Sequence, residues 1–183
     1  MVLCVDVDNT INNLQEEVLN KFNERHKKYY TIEDMTDYNV ENCIDVLDAK
    51  FIRAIYVEKG VYDTVRPLEG AQKALQKLVN MGHQVYLVTA FEPHIHVEKV
   101  EWIRSYFSFI DDSHIIAMNH KYLLRPDVMI EDNLDNLLAK PYYDRILIDR
   151  PWNRTVRDFV YDIHRCTNWE QIVDIVNKLN LEE

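Results

Sequence analysis

The stretch Val2-Leu3-Cys4-Val5-Asp6-Val7-Asp8-Asn9-Thr10 constrains the chain most, because its short apolar run ends abruptly in two carboxylates. A β-branched, apolar segment closed by Asp-Asn reads as a strand buried on both faces, the centre of a parallel sheet. In open α/β sheets ligands sit in the crevice outside the carboxyl ends of the strands, so Asp6 and Asp8 arrive where chemistry is done. Two acids this close repel each other and call for a cation, most naturally a divalent metal with hard oxygen ligands. On its own Asp-x-Asp is equally an ordinary solvated turn, so its meaning depends on which later residues land beside it.

The segments that follow decide the fold class. Leu14, Val18, Leu19 and Phe22 recur at helical spacing, which predicts an amphipathic helix to about Lys28. Thr31 and Asp34 mark a short helical start, and a further helix is expected from Asp48 to Glu58, with Phe51, Ile52, Ile55 and Tyr56 inward and Gly60 as its stop. Nothing between Leu14 and Arg66 alternates as a strand should, so residues 14–66 read as a helical insertion. Pro67-Leu68-Glu69-Gly70-Ala71 then opens a helix that ends at Asn80-Met81-Gly82, and Gln84–Thr89 follows as a second buried strand. A helix over Pro93–Phe107 is expected to bury Val97, Val100, Ile103 and Phe107. Further strands are expected at Ile115–Met118, Asp127–Ile130 and Asp144–Asp149, and Thr167-Asn168-Trp169-Glu170 reads as a capping box before a last helix. Strands alternating with helices predict a doubly wound α/β domain formed by residues 1–13 and 67–183, interrupted by the helical cap 14–66.

Charge narrows the partners. A formal net charge of −10 repels a long nucleic acid over most of the surface. A small anion can still bind, given a metal and a few placed basic residues. No apolar run approaches membrane-spanning length and no leader pattern opens the chain, so a membrane partner is not expected. Cys4, Cys43 and Cys166 are odd in number and far apart, which suits a reducing cytoplasm better than disulfides or zinc.

Three strand ends carry polar residues of different kinds: Asp6 and Asp8, then Thr89, then Glu131 and Asp132, with Lys121 just ahead of the last strand. On a parallel sheet these ends share one edge. In type, order and position they resemble the haloacid dehalogenase-like (HAD) superfamily of phosphatases, whose fold is a Rossmann-like parallel sheet flanked by helices. Within it, the insertion after Asp-x-Asp, the Pro67–Ala71 entry, Met129-Ile130-Glu131-Asp132-Asn133 and Asn168-Trp169-Glu170 resemble the 5′(3′)-deoxyribonucleotidases.

That resemblance implies Asp6 as the nucleophile, forming an aspartyl-phosphate, and Asp8 as general acid then base. It implies Mg2+ held by the Asp6 carboxylate, the Asp8 carbonyl and Asp132, with Glu131 orienting beside it. Thr89, the Ala90 region of the backbone and Lys121 would bind the phosphoryl group. Asn9 stands where the family has glycine, Leu14 where an aromatic residue is frequent, and Asn39 where a tryptophan is expected, with Tyr38 in the substrate pocket. The expected substrate is a (deoxy)nucleoside monophosphate. Alternatives are a nucleic-acid 3′-phosphate end or a sugar phosphate, and, from other classes, a receiver domain or a non-catalytic phosphate-binding protein. Homodimers are frequent in such families. Arg145, Arg150, Arg154 and Arg157 read as a solvated, salt-bridged face, and Tyr29, Tyr30, Tyr56 and Tyr62 as core residues.

Overall fold

A computed structural model of the chain describes residues 1–139, 142–155 and 161–182. Six strands form one sheet: β1 (Val2–Asp6), β2 (Gln84–Thr89), β3 (Ile115–Ala117), β4 (Val128–Glu131), β5 (Asp144–Ile148) and β6 (Ile163–Cys166). Their spatial order is β3-β2-β1-β4-β5-β6, and every neighbouring pair is parallel. The helices are α1 (Leu14–His26), α2 (Val46–Tyr56), α3 (Ala71–Asn80), α4 (His96–Tyr106), α5 (Leu134–Leu138) and α6 (Trp169–Glu182).

Both faces of β1 are covered, which explains why its sequence does not alternate. Leu3, Val5 and Val7 join Leu87, Ile130 and Ile146 in one core with α1, α3 and α6. Cys4 points the other way, into a smaller core with Val88, Met129, Leu147 and Leu137 of α5. The strand order reverses at β1, so β1 and β4 flank a switch point, where the crevice of a doubly wound sheet opens.

Residues 14–66 carry helices and no strand among the described residues. Residues 11–13 and 66–68, which bracket this segment, run side by side: Asn12 and Pro67 form an antiparallel bridge, Asn13 N donates to Arg66 O at 3.1 Å, and Leu68 N donates to Ile11 O at 2.9 Å. Inside the insertion, Lys28 and Tyr30 both hold Asp48, each at 2.8 Å.

Several expectations need correction. The strand β6 was not foreseen; it lies at the sheet edge against β5 alone, and its middle residues His164 and Arg165 are polar and half-buried. α2 begins earlier than expected because Asp45 caps it, accepting from Leu47 N at 2.9 Å, and Gly60 opens a later 3₁₀ turn instead of stopping it. The cap of α6 is shifted by one residue: Asn168 Oδ1 accepts from Gln171 N at 3.0 Å, while Gln171 Oε1 accepts from Thr167 N at 2.8 Å. Around α4, Ile103 and Phe107 are buried as expected, but Val97 is not. Val97 is 66% exposed and Lys99 is 3% exposed, because the inward stripe runs through Lys99, Trp102 and Ile103, with Trp102 against Tyr62 and donating to Val65 O at 3.0 Å. Tyr29 is exposed rather than core, and Arg157 lies outside the described residues.

Gly70, which precedes α3, has φ +80°, and a Cβ there would stand 3.4 Å from Trp169 Cβ. The backbone conformation asks for glycine, while a Cβ would only just touch α6.

Candidate active site

The loop after β1 is built on a left-handed turn. Asn9 has φ +62°, the conformation that glycine takes without cost and asparagine tolerates best among the other residues. Its side chain also ties the loop to α1, since Asn9 Oδ1 accepts from Gln15 N at 2.7 Å. Asn9 N donates to Asn12 Oδ1 at 2.9 Å, and Arg150 Nε holds the Asn9 carbonyl at 2.8 Å. Arg150 therefore turns inward to brace this loop, unlike Arg154, which lies on the surface paired with Asp149 and Glu33.

The switch point brings Asp6, Glu131 and Asp132 together from β1 and the end of β4. One carboxylate oxygen from each lies within 4.8 Å of the others, and all three residues are buried. Lys121 Nζ is hydrogen-bonded to Asp6 Oδ1 and lies 2.6 Å from Glu131 Oε1. Burial works against the Lys121 charge, but Asp6 and Glu131 outweigh it and hold the ammonium above the usual lysine range. One ammonium does not balance three acids. Burial, then the negative charge of Asp6, pushes Glu131 up to about 7, and the same causes hold Asp132 well above the ordinary range.

Each acid is also held from behind. Thr10 Oγ1 donates to Asp6 Oδ2 at 3.2 Å and lies 3.3 Å from Asp132 Oδ1. Trp152 Nε1 donates to Asp132 Oδ2 at 3.1 Å, and Asn153 Nδ2 donates to the Asp132 carbonyl at 2.8 Å. Asn136 Nδ2 donates to Glu131 Oε1 at 2.9 Å.

Asp8 sits in a different environment. Lys99 Nζ is 2.7 Å from Asp8 Oδ2, the Tyr62 hydroxyl donates to Asp8 Oδ1 at 2.5 Å, and Asn12 Nδ2 donates to the same oxygen at 3.1 Å. Burial would raise this carboxyl, yet the Lys99 charge, with the hydrogen bonds from Lys99, Tyr62 and Asn12, holds it below the ordinary range. Lys99 also donates to Thr89 Oγ1 at 2.9 Å. Thr89 is fully buried, and its hydroxyl accepts this bond at the end of β2.

Above these groups lies a cavity of about 780 Å³, walled by Asp6, Asp8, Ala90 and Lys121 below and by Leu14, Gln15, Tyr38, Arg53 and Tyr56 of the insertion above. Tyr38 is 59% exposed although it lines this cavity. The sequence reading missed Lys99, Tyr62 and Asn12 on Asp8, and Trp152 and Asn153 on Asp132. A polar residue on the buried stripe of α4 was the available signal for Lys99.

The donor set fits a hard divalent cation: three buried carboxylates converge with too little positive charge among them, and among the described residues Lys121 is their one cationic hydrogen-bond partner, with the Arg150 charge acting on Asp132 from further off. No helix among the described residues is long and apolar enough to cross a membrane.

Comparison with known proteins agrees with this geometry. The chain is 28% identical over 170 residues to a 5′(3′)-deoxyribonucleotidase of Clostridium acetobutylicum, covering 91% of this chain and 89% of that one. It is 25% identical to a 5′(3′)-deoxyribonucleotidase of Bacillus subtilis, covering 93% of this chain and 95% of that one. Among solved structures, a haloacid dehalogenase-like hydrolase from Streptococcus pneumoniae superposes with a TM-score of 0.65 at 12% identity, over 96% and 97% of the two chains. A HAD family hydrolase from Deinococcus radiodurans, crystallised with bound phosphate and sodium, gives 0.63 at 11% identity, over 98% and 96%. These neighbours share the parallel HAD-like fold. Residues 1–181 match the model of one family, described as 5′ nucleotidase, deoxy (pyrimidine), cytosolic type C protein (NT5C), and the chain belongs to that family of phosphomonoester hydrolases.

Proposed function

We propose that the protein is a Mg2+-dependent nucleotidase that removes phosphate from (deoxy)nucleoside monophosphates through an aspartyl-phosphate on Asp6. The observation that carries this reading is the pairing of unlike carboxylates on one loop. Asp6 belongs to an acid cluster with excess negative charge, whereas Asp8 is matched by its own lysine.

Asp6 and Asp132, with the Asp8 carbonyl, would hold Mg2+, which when bound neutralises phosphoryl charge and stabilises the charge developing in transfer. An Asp6 carboxylate oxygen attacks phosphorus as the ester P–O bond breaks, and Asp8 gives a proton to the departing alcohol. Lys99 and Tyr62 keep Asp8 ionised before substrate arrives. The negative charge of the incoming phosphate raises the proton affinity of Asp8, so that it takes up from solvent the proton it gives to the alcohol, and the proton it later takes from the attacking water returns to solvent at the end of the cycle. Water then attacks phosphorus, Asp8 takes its proton, and the P–O bond to Asp6 breaks to release inorganic phosphate. Lys121 offsets charge on Asp6 and the phosphoryl group, and the backbone at Ala90 faces the same space. Residues 14–66 act as a cap that covers the site, with Leu14 and Tyr38 against the nucleoside.

The roof formed by the insertion favours a small substrate over a phosphorylated nucleic-acid end, as does the net charge of −10. Unpaired thiols at Cys4, Cys43 and Cys166 suit a reducing, cytoplasmic setting. The test is phosphate release from ribo- and deoxyribonucleoside monophosphates, a 3′-phosphorylated oligonucleotide and ribose 5-phosphate, each with Mg2+ or EDTA. Nucleotide hydrolysis lost in EDTA and in Asp6→Asn is expected; hydrolysis of the sugar phosphate or the oligonucleotide end alone sinks the nucleotidase reading.

A further inference from the structure

The cavity wall holds one polar group that neither the phosphate chemistry nor the fold explains. Gln15, in the first turn of α1, is 6% exposed and lines the cavity beside Leu14 and Val40. Its Oε1 accepts from the Tyr56 hydroxyl, while its Nε2 is buried with no hydrogen-bond partner among the described residues. A buried amide left half unsatisfied is unfavourable, and its persistence in a binding wall points to a ligand that completes it. The position is also well fixed, because Gln15 N is tied to Asn9 of the catalytic loop at 2.7 Å.

We propose that the Gln15 amide, set by Tyr56, reads the hydrogen-bonding edge of the substrate's nucleobase. The inference rests on the nucleoside monophosphate reading and assigns the residue that senses the base. The rest of the upper wall offers little competition. Arg53 is engaged by Asn39 and Glu41, Asp37 accepts from Asn39 N at 2.7 Å, and Leu14, Val40 and Val57 are apolar, which leaves the Tyr38 hydroxyl as the other polar group of this wall.

The chemistry of the pair makes a sharper statement. Burial, with the negative charges of Asp8 and Asp132, holds the Tyr56 phenol well above its ordinary range, so it stays a neutral hydroxyl. A hydroxyl can donate or accept, so the amide can turn either its oxygen or its NH2 toward the ring. Keto and amino edges are then both accepted.

The experiment measures kcat/KM of the Mg2+-loaded protein for dUMP, dCMP and 2-deoxyribose 5-phosphate, which lacks a base, in the wild type, Gln15→Leu and Gln15→Glu. Gln15→Leu is expected to lower both nucleotides by about tenfold or more, with the base-less substrate falling at least about fivefold less. Gln15→Glu presents only acceptors and should move the dCMP to dUMP ratio about tenfold toward dCMP. Should Gln15→Leu fail to fold, Tyr56→Phe, which frees the amide from its setting partner, is expected to lower the nucleotides more than the base-less substrate. Parallel loss on all three substrates with an unchanged dCMP to dUMP ratio overturns the inference and leaves the nucleotidase reading standing. A wild type that cleaves deoxyribose 5-phosphate but neither nucleotide overturns both.

Discussion

Asp6 and Asp8 lie two positions apart on one loop, yet their surroundings are opposite. Asp6 shares a buried cluster with Glu131 and Asp132, where a single ammonium, Lys121, faces three acids. Asp8 has Lys99 to itself, with Tyr62 and Asn12 completing its hydrogen bonds. The first environment is short of positive charge and the second is balanced. A nucleophile that must share its space with a cation and a phosphate needs the former; a proton shuttle that must keep its place needs the latter.

Removing the two lysines should break this contrast most visibly. Lys121→Met leaves buried acids uncompensated and is expected to cost on the order of 3–5 kcal/mol of stability in the metal-free protein. Saturating Mg2+ should return a good part of that loss, measured as a rise in melting temperature. Lys99→Met should show no such rescue, because its partner lies outside the cluster. Equal recovery of both variants would mean that the two regions are not electrically distinct.

Activity gives the second contrast. Lys99→Met is expected to lower kcat on nucleotides by about 10²-fold, the lower end of what general acid-base catalysis contributes. With an aryl phosphate, whose leaving group needs little protonation, the loss should be several-fold smaller. An identical loss on both substrates would place Lys99 in the scaffold only.

A smaller effect is expected from pH. Glu131 in the folded protein is raised to about 7 by burial and the charge of Asp6. Its folded value lies above its unfolded one, so the associated stability is fully present below the ordinary carboxylate range and is lost as pH rises through about 7. Thermal melts in EDTA should therefore fall between pH 5 and 8 by roughly 1–2 kcal/mol of stability. With Mg2+ the slope should flatten, and a flat profile in EDTA would remove the claim of excess negative charge.

Much of this arrangement could be read before any coordinates. A run such as Val2–Val5 can only be buried on both faces, and the polar ends of β1 and β4 follow from it, so Asp6, Glu131 and Asp132 were placed by topology alone. Lys99 was hidden because the apolar pattern of α4 suggested that Val97 faces inward, whereas the buried stripe runs through Lys99, Trp102 and Ile103. Trp152 and Asn153 reach Asp132 across 20 and 21 residues of chain, from a loop with no periodicity to betray its direction. β6 escaped notice because an edge strand needs little apolar character, and His164 and Arg165 disguise it. Gln15 looks from sequence like any polar residue in an amphipathic helix; only its position in the cavity wall distinguishes it.

The bridge between Asn12 and Pro67 has a consequence for inheritance and engineering. Since the chain departs and returns at adjacent points, the sheet sees a closed pair of ends, together with the apolar face that α1 adds to its core. Lengthening such a segment costs little, about 0.6 kcal/mol for each doubling of a flexible loop. A descendant can therefore vary the length of residues 14–66 at little entropic cost, provided that the contacts from Tyr62 to Asp8 and from Gln15 to Asn9 are kept.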